Sequence, residues 1–427
     1  MRKLLGVCLT GAALTAPSLV LAQDITPASD TARFVLDAAL MFAGALGALI
    51  IIFAFGLRDV GLARPQHTFS VCLRMMGLAA VTAIAFWVSG YNLFQGVDGG
   101  GLLGEFRVWF PDDEDPIGKG YPAGLHWVFH AGLAAVGGAV VSSAASERVR
   151  LWAYLIFIAV YAGLIYPIIA GWTWGGGYFD EVWSYHDFAG AGVVHMTGGA
   201  AALAAAFVIG PRSGKYLQTG GRHIPSDALP LTAFGSGLIW VAWLLVIVSM
   251  VKTVSTVEGA ISVGKIATTS LLAASGAVLA GLFLTQAVYK RVGLVTASCS
   301  AVGGLVAISA DPLYPSLWQA VMIGAVSGVI VTVAPPFLNR FRIDDAGLVV
   351  PTHLFCGGWG VISVAWTNPD AWLVGQVVTG AGIVGFSALL SMLTWVALKY
   401  TIGARLKLGG EASADGGGDF SAEPANR

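Results

Sequence analysis

The chain has 427 residues, 56% of them hydrophobic and only 11% charged, with a formal net charge of −1. A mean hydropathy of +0.76 excludes a soluble globular protein of average composition and implies a polytopic membrane protein. No block of like charge marks a nucleic-acid surface.

Residues 1–22 read as a secretory signal: Arg2-Lys3, an apolar run from Leu4, and Val20-Leu21-Ala22 as a small-residue cleavage site. The mature chain is then expected to begin near Gln23, outside the cytoplasm. A membrane helix needs about 20 largely apolar residues. That criterion predicts eleven spans, near 34–56, 70–95, 122–145, 149–170, 187–210, 229–252, 264–289, 293–310, 316–336, 348–366 and 372–400. The transmembrane domain is expected over 23–402. Residues 403–427, rich in Gly, Ser, Ala and acidic side chains, are expected to form a cytoplasmic tail that is disordered when unbound. The outer loop 97–120 carries Pro111-Asp112-Asp113-Glu114-Asp115, read either as a solvated loop or as an acidic segment whose field concentrates cations.

Cytoplasmic segments carry the excess of lysine and arginine. Fifteen fall in the proposed inner segments, among them Arg58, Arg64, Arg74, Arg148, Arg150, Arg212, Arg222 and Lys407. Five fall in the outer ones: Arg33, Arg107, Lys119, Lys252 and Lys265. The expected topology is N-terminus outside, C-terminus inside, in an inner plasma membrane. Many of the 57 glycines lie in apolar runs, where a missing side chain lets helices approach closely. Cys8 belongs to the signal; Cys72, Cys299 and Cys356 have no metal-site spacing, and no metal or cofactor is expected.

One pattern occurs twice. Asp187 precedes His195 by eight residues, with Gly198-Gly199 following; Asp345 and His353 repeat the spacing, with Gly357-Gly358 following. An ionisable residue inside a membrane helix is costly to bury and usually lines a pathway or pairs with a partner. Two matched histidines in two halves of a membrane protein fit an inverted repeat around a central conduit. The expected fold is all-α, with helices 1–5 and 6–10 as inverted halves and helix 11 as a brace.

The run from Asp187 to His195, followed by Gly198-Gly199-Ala200-Ala201 and Gly210-Pro211-Arg212, resembles the signature of the ammonium transporter (Amt/Mep/Rh) family. Trp174-Gly175-Gly176-Gly177, Ser146-Glu147-Arg148 and Arg342-Ile343-Asp344-Asp345 resemble other family motifs, in order along the chain. The resemblance implies a homotrimer with one pore per subunit, carrying ammonium or ammonia, and methylammonium as an analogue. It implies that Asp187 supports a cation-recruiting vestibule, that Trp174 lines its wall, where cation–π attraction suits ammonium, and that His195 and His353 face each other in the narrow pore. A P-II-type regulatory protein at the cytoplasmic face is the partner it suggests.

A bare ammonium ion cannot cross a hydrocarbon-lined tube without a prohibitive loss of hydration. Imidazole offers another route, because a neutral ring presents one donor and one acceptor and exchanges protons near physiological pH. Each residue also has a structural reading. A membrane histidine can join helices, Asp187 can cap helix 5, and Trp174 can be an interfacial belt residue.

The family's two gating phenylalanines fall on Leu133 and Val246, while Phe129, one turn outward, keeps one ring near the vestibule. The vestibule serine aligns with Met250, although Ser249 is adjacent. His126 and His130, four apart on one helical face, are an addition. They are either interhelical hydrogen bonders or modulators of the vestibule. Besides ammonium transport, the missing gates leave open a Rh-like conduit for neutral NH3 or CO2, and a third reading, from another class, is a non-fluxing ammonium sensor acting through a cytosolic partner. No nucleophile, metal cluster or nucleotide loop suggests an enzyme.

Overall fold

The computed structural model describes residues 29–217, 220–221 and 228–406. The expected signal segment, Arg222 and most of the expected tail, including Lys407, lie outside the described residues. The chain forms α1 (Asp30–Leu62), α2 (Pro65–Gln95), α3 (Ala123–Ala144), α4 (151–173), α5 (Ala191–Ile209), α6 (Leu229–Ser249), α7 (Val257–Tyr289), α8 (Leu294–Ile308), α9 (Leu317–Arg340), α10 (350–367) and α11 (Leu373–Thr401). Among the described residues, nine helical segments are long and apolar enough to cross a bilayer. Of the other two, α8 is a shorter apolar helix of 15 residues and α10 begins in a wide, π-helical turn. A two-residue ribbon, Tyr216–Leu217 against Gly220–Gly221, interrupts the α5–α6 connection.

The helix pairings repeat. α1 packs on α3 as α6 packs on α8, and α2 packs on α4 as α7 packs on α9. The halves meet where α1 runs along α6 and α5 crosses α10, while α11 lies against α5 and α10 as the brace. Five helices per half is an odd number, so the second half runs inverted relative to the first.

Several boundaries differ from the expected spans. α1 extends to Leu62 rather than 56, and α7 begins at Val257 rather than 264. A scan for apolar residues stops at the first charge. The helix itself continues through Arg58 and Asp59, because each finds a partner in the bundle and both are buried. Arg74, Arg148 and Arg212 are buried as well, rather than lying on exposed connections.

On the face opposite the large cavity described below, three sequence motifs converge. Glu147, in left-handed backbone at φ 70°, accepts from Arg64 N at 3.0 Å and Arg64 Nε at 2.8 Å. Arg212 clasps Asp344 in bidentate geometry, Nε to Oδ2 at 2.8 Å and Nη2 to Oδ1 at 3.0 Å, with Glu147 a further 3.7 Å contact. Arg148 donates to the carbonyls of Gly210 and Asp344, both at 2.6 Å. The first residues of the expected tail are docked beside this network. Arg150 N donates to Ala404 O at 3.1 Å and Leu406 N to Arg148 O at 2.9 Å, so disorder is not the state of 403–406.

Removing one partner of a buried, hydrogen-bonded ion pair costs about 3–5 kcal/mol, and Arg212→Ala or Asp344→Asn is expected to show a loss of that order in thermal unfolding. Burial alone would raise the Asp344 carboxyl, but the hydrogen bonds and charge of Arg212, with the charge of Arg148, hold it below the usual carboxylate range. A carboxyl depressed in the folded state contributes stability above its unfolded value, near about 3.9, and loses it as pH falls through the folded value. The gap between wild type and Asp344→Asn should therefore be flat from about pH 7 to 5 and shrink below about pH 4; a constant gap at the lowest pH would refute this role for Asp344.

Candidate functional site

The crossing of α5 and α10 builds the centre of the bundle. His195 and His353 each sit in a π-helical turn, Ala191–Met196 and Val350–Phe355. Such turns are wider than α-helix and are frequent at functional sites. Five residues before each histidine the chain turns left-handed, at Gly190 (φ 92°) and Leu348 (φ 54°). For leucine that conformation is strained, which implies that surrounding contacts enforce it.

The recurring aspartates organise these turns. Asp187 accepts from Gly190 N at 3.0 Å and from Gly192 N and Val193 N, both at 2.9 Å. Asp345 accepts from Val350 N at 2.7 Å. In both halves the carboxylate therefore takes the N–H three residues before the histidine, so the spacing of eight belongs to a cap. The following glycines permit the crossing. A Cβ on Gly199 would lie 2.6 Å from Leu354 N, and one on Gly357 would lie 2.6 Å from Ala191 O and 2.9 Å from Met196. Each glycine lies four residues past its histidine and packs against the other half.

The two imidazoles meet Nδ1 to Nδ1 at 3.1 Å. One nitrogen must donate and the other accept, so the two rings share a single proton between their Nδ1 atoms. His195 Nε2 is buried without a partner among the described residues. Trp243 packs 4.6 Å from the His195 ring and Phe55 5.7 Å from that of His353, centroid to centroid. Together with aliphatic side chains these rings line a slot of about 10 Å³, at the lower limit of space for one water. Its size and apolar wall exclude a hydrated cation.

A cavity of about 970 Å³ opens at one end of the bundle. Trp174, Asp187, Phe129, Ser249, Met250, His126 and His130 all line it. Trp174 is fixed by a 2.7 Å bond from Nε1 to the Asp187 carbonyl. Ser249 Oγ donates to Val246 O at 2.8 Å. His126 pairs through Nδ1 with Tyr91 OH at 2.9 Å and stacks on Tyr121 at 4.1 Å. His130 packs 4.5 Å from Phe94 and 6.0 Å from Trp174, and its Nδ1 is buried without a partner among the described residues. Leu133 and Val246 are fully buried. On α3, Leu133 lies between Phe129 in the cavity and Val136 in the slot; on α6, Val246 lies between Ser249 and Trp243. The two aliphatic residues therefore occupy the partition between cavity and slot.

Sequence reasoning missed three contributors. In the sequence Phe55 and Trp243 are simply two more aromatic residues in apolar helices. Asp311, at the cavity rim, follows the apolar run of α8 and could have been noticed as a carboxylate at a helix end. Burial raises its carboxyl above the usual range, against a 3.0 Å bond from Asn368 Nδ2. Among the described residues, no group of three or more His, Cys, Asp or Glu is arranged to hold a metal ion.

Residues 39–416 match a family model described as Ammonium Transporter Family. The chain is 33% identical over 322 residues to Ammonium transporter Amt2 of Archaeoglobus fulgidus, covering 73% of this chain and 67% of that protein. It superposes on a solved structure described as Sensor Amt Protein with a TM-score of 0.83 at 23% identity, covering 90% of this chain and 98% of the other. It superposes on Saccharomyces cerevisiae Mep2 with a TM-score of 0.77 at 20% identity and 89% coverage of each.

Three hydrogen bonds from backbone N–H groups to one buried carboxylate predict that Asp187→Ala costs about 2 kcal/mol of stability, the upper end of cap losses. Thermal unfolding of the two proteins in the same detergent measures it. An unchanged transition would assign those N–H groups to other acceptors.

Proposed function

Because the chain belongs to the ammonium transporter family, we propose that it moves ammonium-derived nitrogen across an inner plasma membrane through the slot between α5 and α10. The observation that carries this reading is the hydrogen-bonded His195–His353 pair at 3.1 Å inside a slot of about 10 Å³. Ammonium is recruited in the cavity, which faces outward, and gives up a proton there. NH3 passes the histidine pair, the proton is relayed separately along the imidazole nitrogens, and the two recombine inside. Trp174 and Phe129 offer aromatic faces to the cation, and Ser249 offers a hydroxyl oxygen. Asp187 acts through the backbone it caps rather than by contact, since both its oxygens already accept N–H groups. Leu133 and Val246 form an aliphatic gate, and Met250 narrows the cavity beside Ser249.

The basic connections, with the N-terminus outside and the C-terminus inside, support this direction. The reading includes a homotrimer with one pore per subunit and a docked root of the C-terminal tail as the surface for a P-II-type regulator. The closed slot also favours a second reading, an ammonium sensor that binds in the cavity without useful flux. A Rh-like conduit for neutral gas is a third.

Liposomes on a solid-supported membrane, pulsed with ammonium, separate the three. The transporter reading expects a transient current in wild type that His195→Ala loses. A silent wild type that still equalises ammonia-driven pH would indicate the neutral conduit, and silence in both assays the sensor. If His130 modulates recruitment, His130→Ala changes the ammonium concentration at which the current saturates; an identical saturation curve would assign His130 a packing role.

A further inference from the structure

A buried ion pair lies between the histidine slot and the face opposite the cavity. Arg58 and Asp59, near the end of α1, are each 2% exposed. Arg58 Nη1 donates to Asp59 Oδ1 at 2.8 Å and to Ser143 Oγ at 3.0 Å, while Nη2 donates to the Gly347 carbonyl and to Cys299 Sγ at 3.2 Å. One guanidinium thereby ties α1 to α3, to α8 and to the segment leading into the second π-helical turn.

Its position is fixed from both sides. The guanidinium carbon lies 5.8 Å from the Phe55 ring centroid, and Phe55 is part of the slot wall beside His353. In the other direction, Asp59, Ser143 and Gly347 line a recess with no space for water. The arginine therefore stands between the slot and that recess. Its acceptors are a carboxylate, a hydroxyl and a backbone carbonyl, converging on one small cationic group. Asp59 Oδ2 is buried with no hydrogen-bond partner among the described residues, so the cluster offers one acceptor more than the guanidinium uses.

We propose that this cluster is a binding site for ammonium or a small protonated amine, held in the resting protein by the chain's own guanidinium. A small cation with several N–H donors needs a compensating carboxylate and a carbonyl to leave water, and Asp59 and the Gly347 carbonyl, which Arg58 now occupies, meet that requirement. Release from the slot then requires Arg58 to leave its acceptors, and ammonium re-forming on this side competes for them. That last consequence rests on the pore reading; the site itself does not.

The test is binding in detergent, with the full chain and no transport assay. Thermal unfolding of Arg58→Ala is titrated with ammonium chloride, methylguanidinium chloride and, at equal ionic strength, potassium and tetramethylammonium chloride. The variant is expected to unfold at lower temperature than wild type. Ammonium and methylguanidinium should restore it, saturably and in excess of any shift in wild type, whereas tetramethylammonium, which has the charge but no N–H, should not. Adding Asp59→Asn should abolish the restoration. Equal effects of all the salts, or none, would overturn the proposal. Should Arg58→Ala not fold, Arg58→Met, which keeps the aliphatic volume against Phe55, is titrated in the same way. Should that also fail, the readout is the yield of monodisperse protein purified in ammonium against potassium buffers, and equal yields overturn the site. A protein that binds here yet passes no current and equalises no ammonia-driven pH would refute transport and leave this inference standing.

Discussion

The close crossing of α5 and α10 is the contact on which the rest of the molecule depends. Each helix brings a histidine, a glycine four residues later that lets the opposite backbone approach, and a capped π-helical turn that aims the ring inward. The two imidazoles reach hydrogen-bond distance only because both glycines lack side chains. A methyl group at either position would push the helices apart by more than a 3.1 Å contact tolerates. The inverted packing of α1–α3 against α6–α8 encloses this crossing and supplies the apolar wall of the slot.

Charge is distributed so that the centre carries none outright. A hydrogen-bonded histidine pair is surrounded by rings and aliphatic groups, where an unpaired ion would be prohibitively costly. Ionic groups sit at the two ends. Carboxylates line the open cavity, and a dense arginine–carboxylate network locks the opposite face. Breaking such pairs is expensive although forming them gains little, so the network fixes a geometry more than it adds net stability. It joins the turn after α3, the end of α5 and the segment before α10, the connections that set the two histidine helices.

Much of this was legible in the residues. The doubled Asp-to-His spacing identified both central histidines and the two halves, because a membrane histidine without a partner is too costly to occur twice by accident. The same spacing did not say what the aspartates do. Their carboxylates are spent on backbone N–H groups, a role visible only when φ and ψ at Gly190 and Leu348 are known. His126 and His130 were seen to share a face, but only the packed bundle turns that face toward the cavity, amid Tyr91, Phe94 and Trp174.

Periodicity, apolar length and the repeated motif are properties of the chain, and by themselves they determined the membrane class, the order of helices and the central histidine pair. What tertiary structure decided was the fate of each charge. Arg58 and Asp59 read as the first residues of a loop because hydropathy counts each side chain against lipid or water alone. In the bundle their solvent is Ser143, Cys299 and the Gly347 carbonyl, contributed from far along the chain. No local pattern encodes partners so distant, and only folding brings them within hydrogen-bond reach.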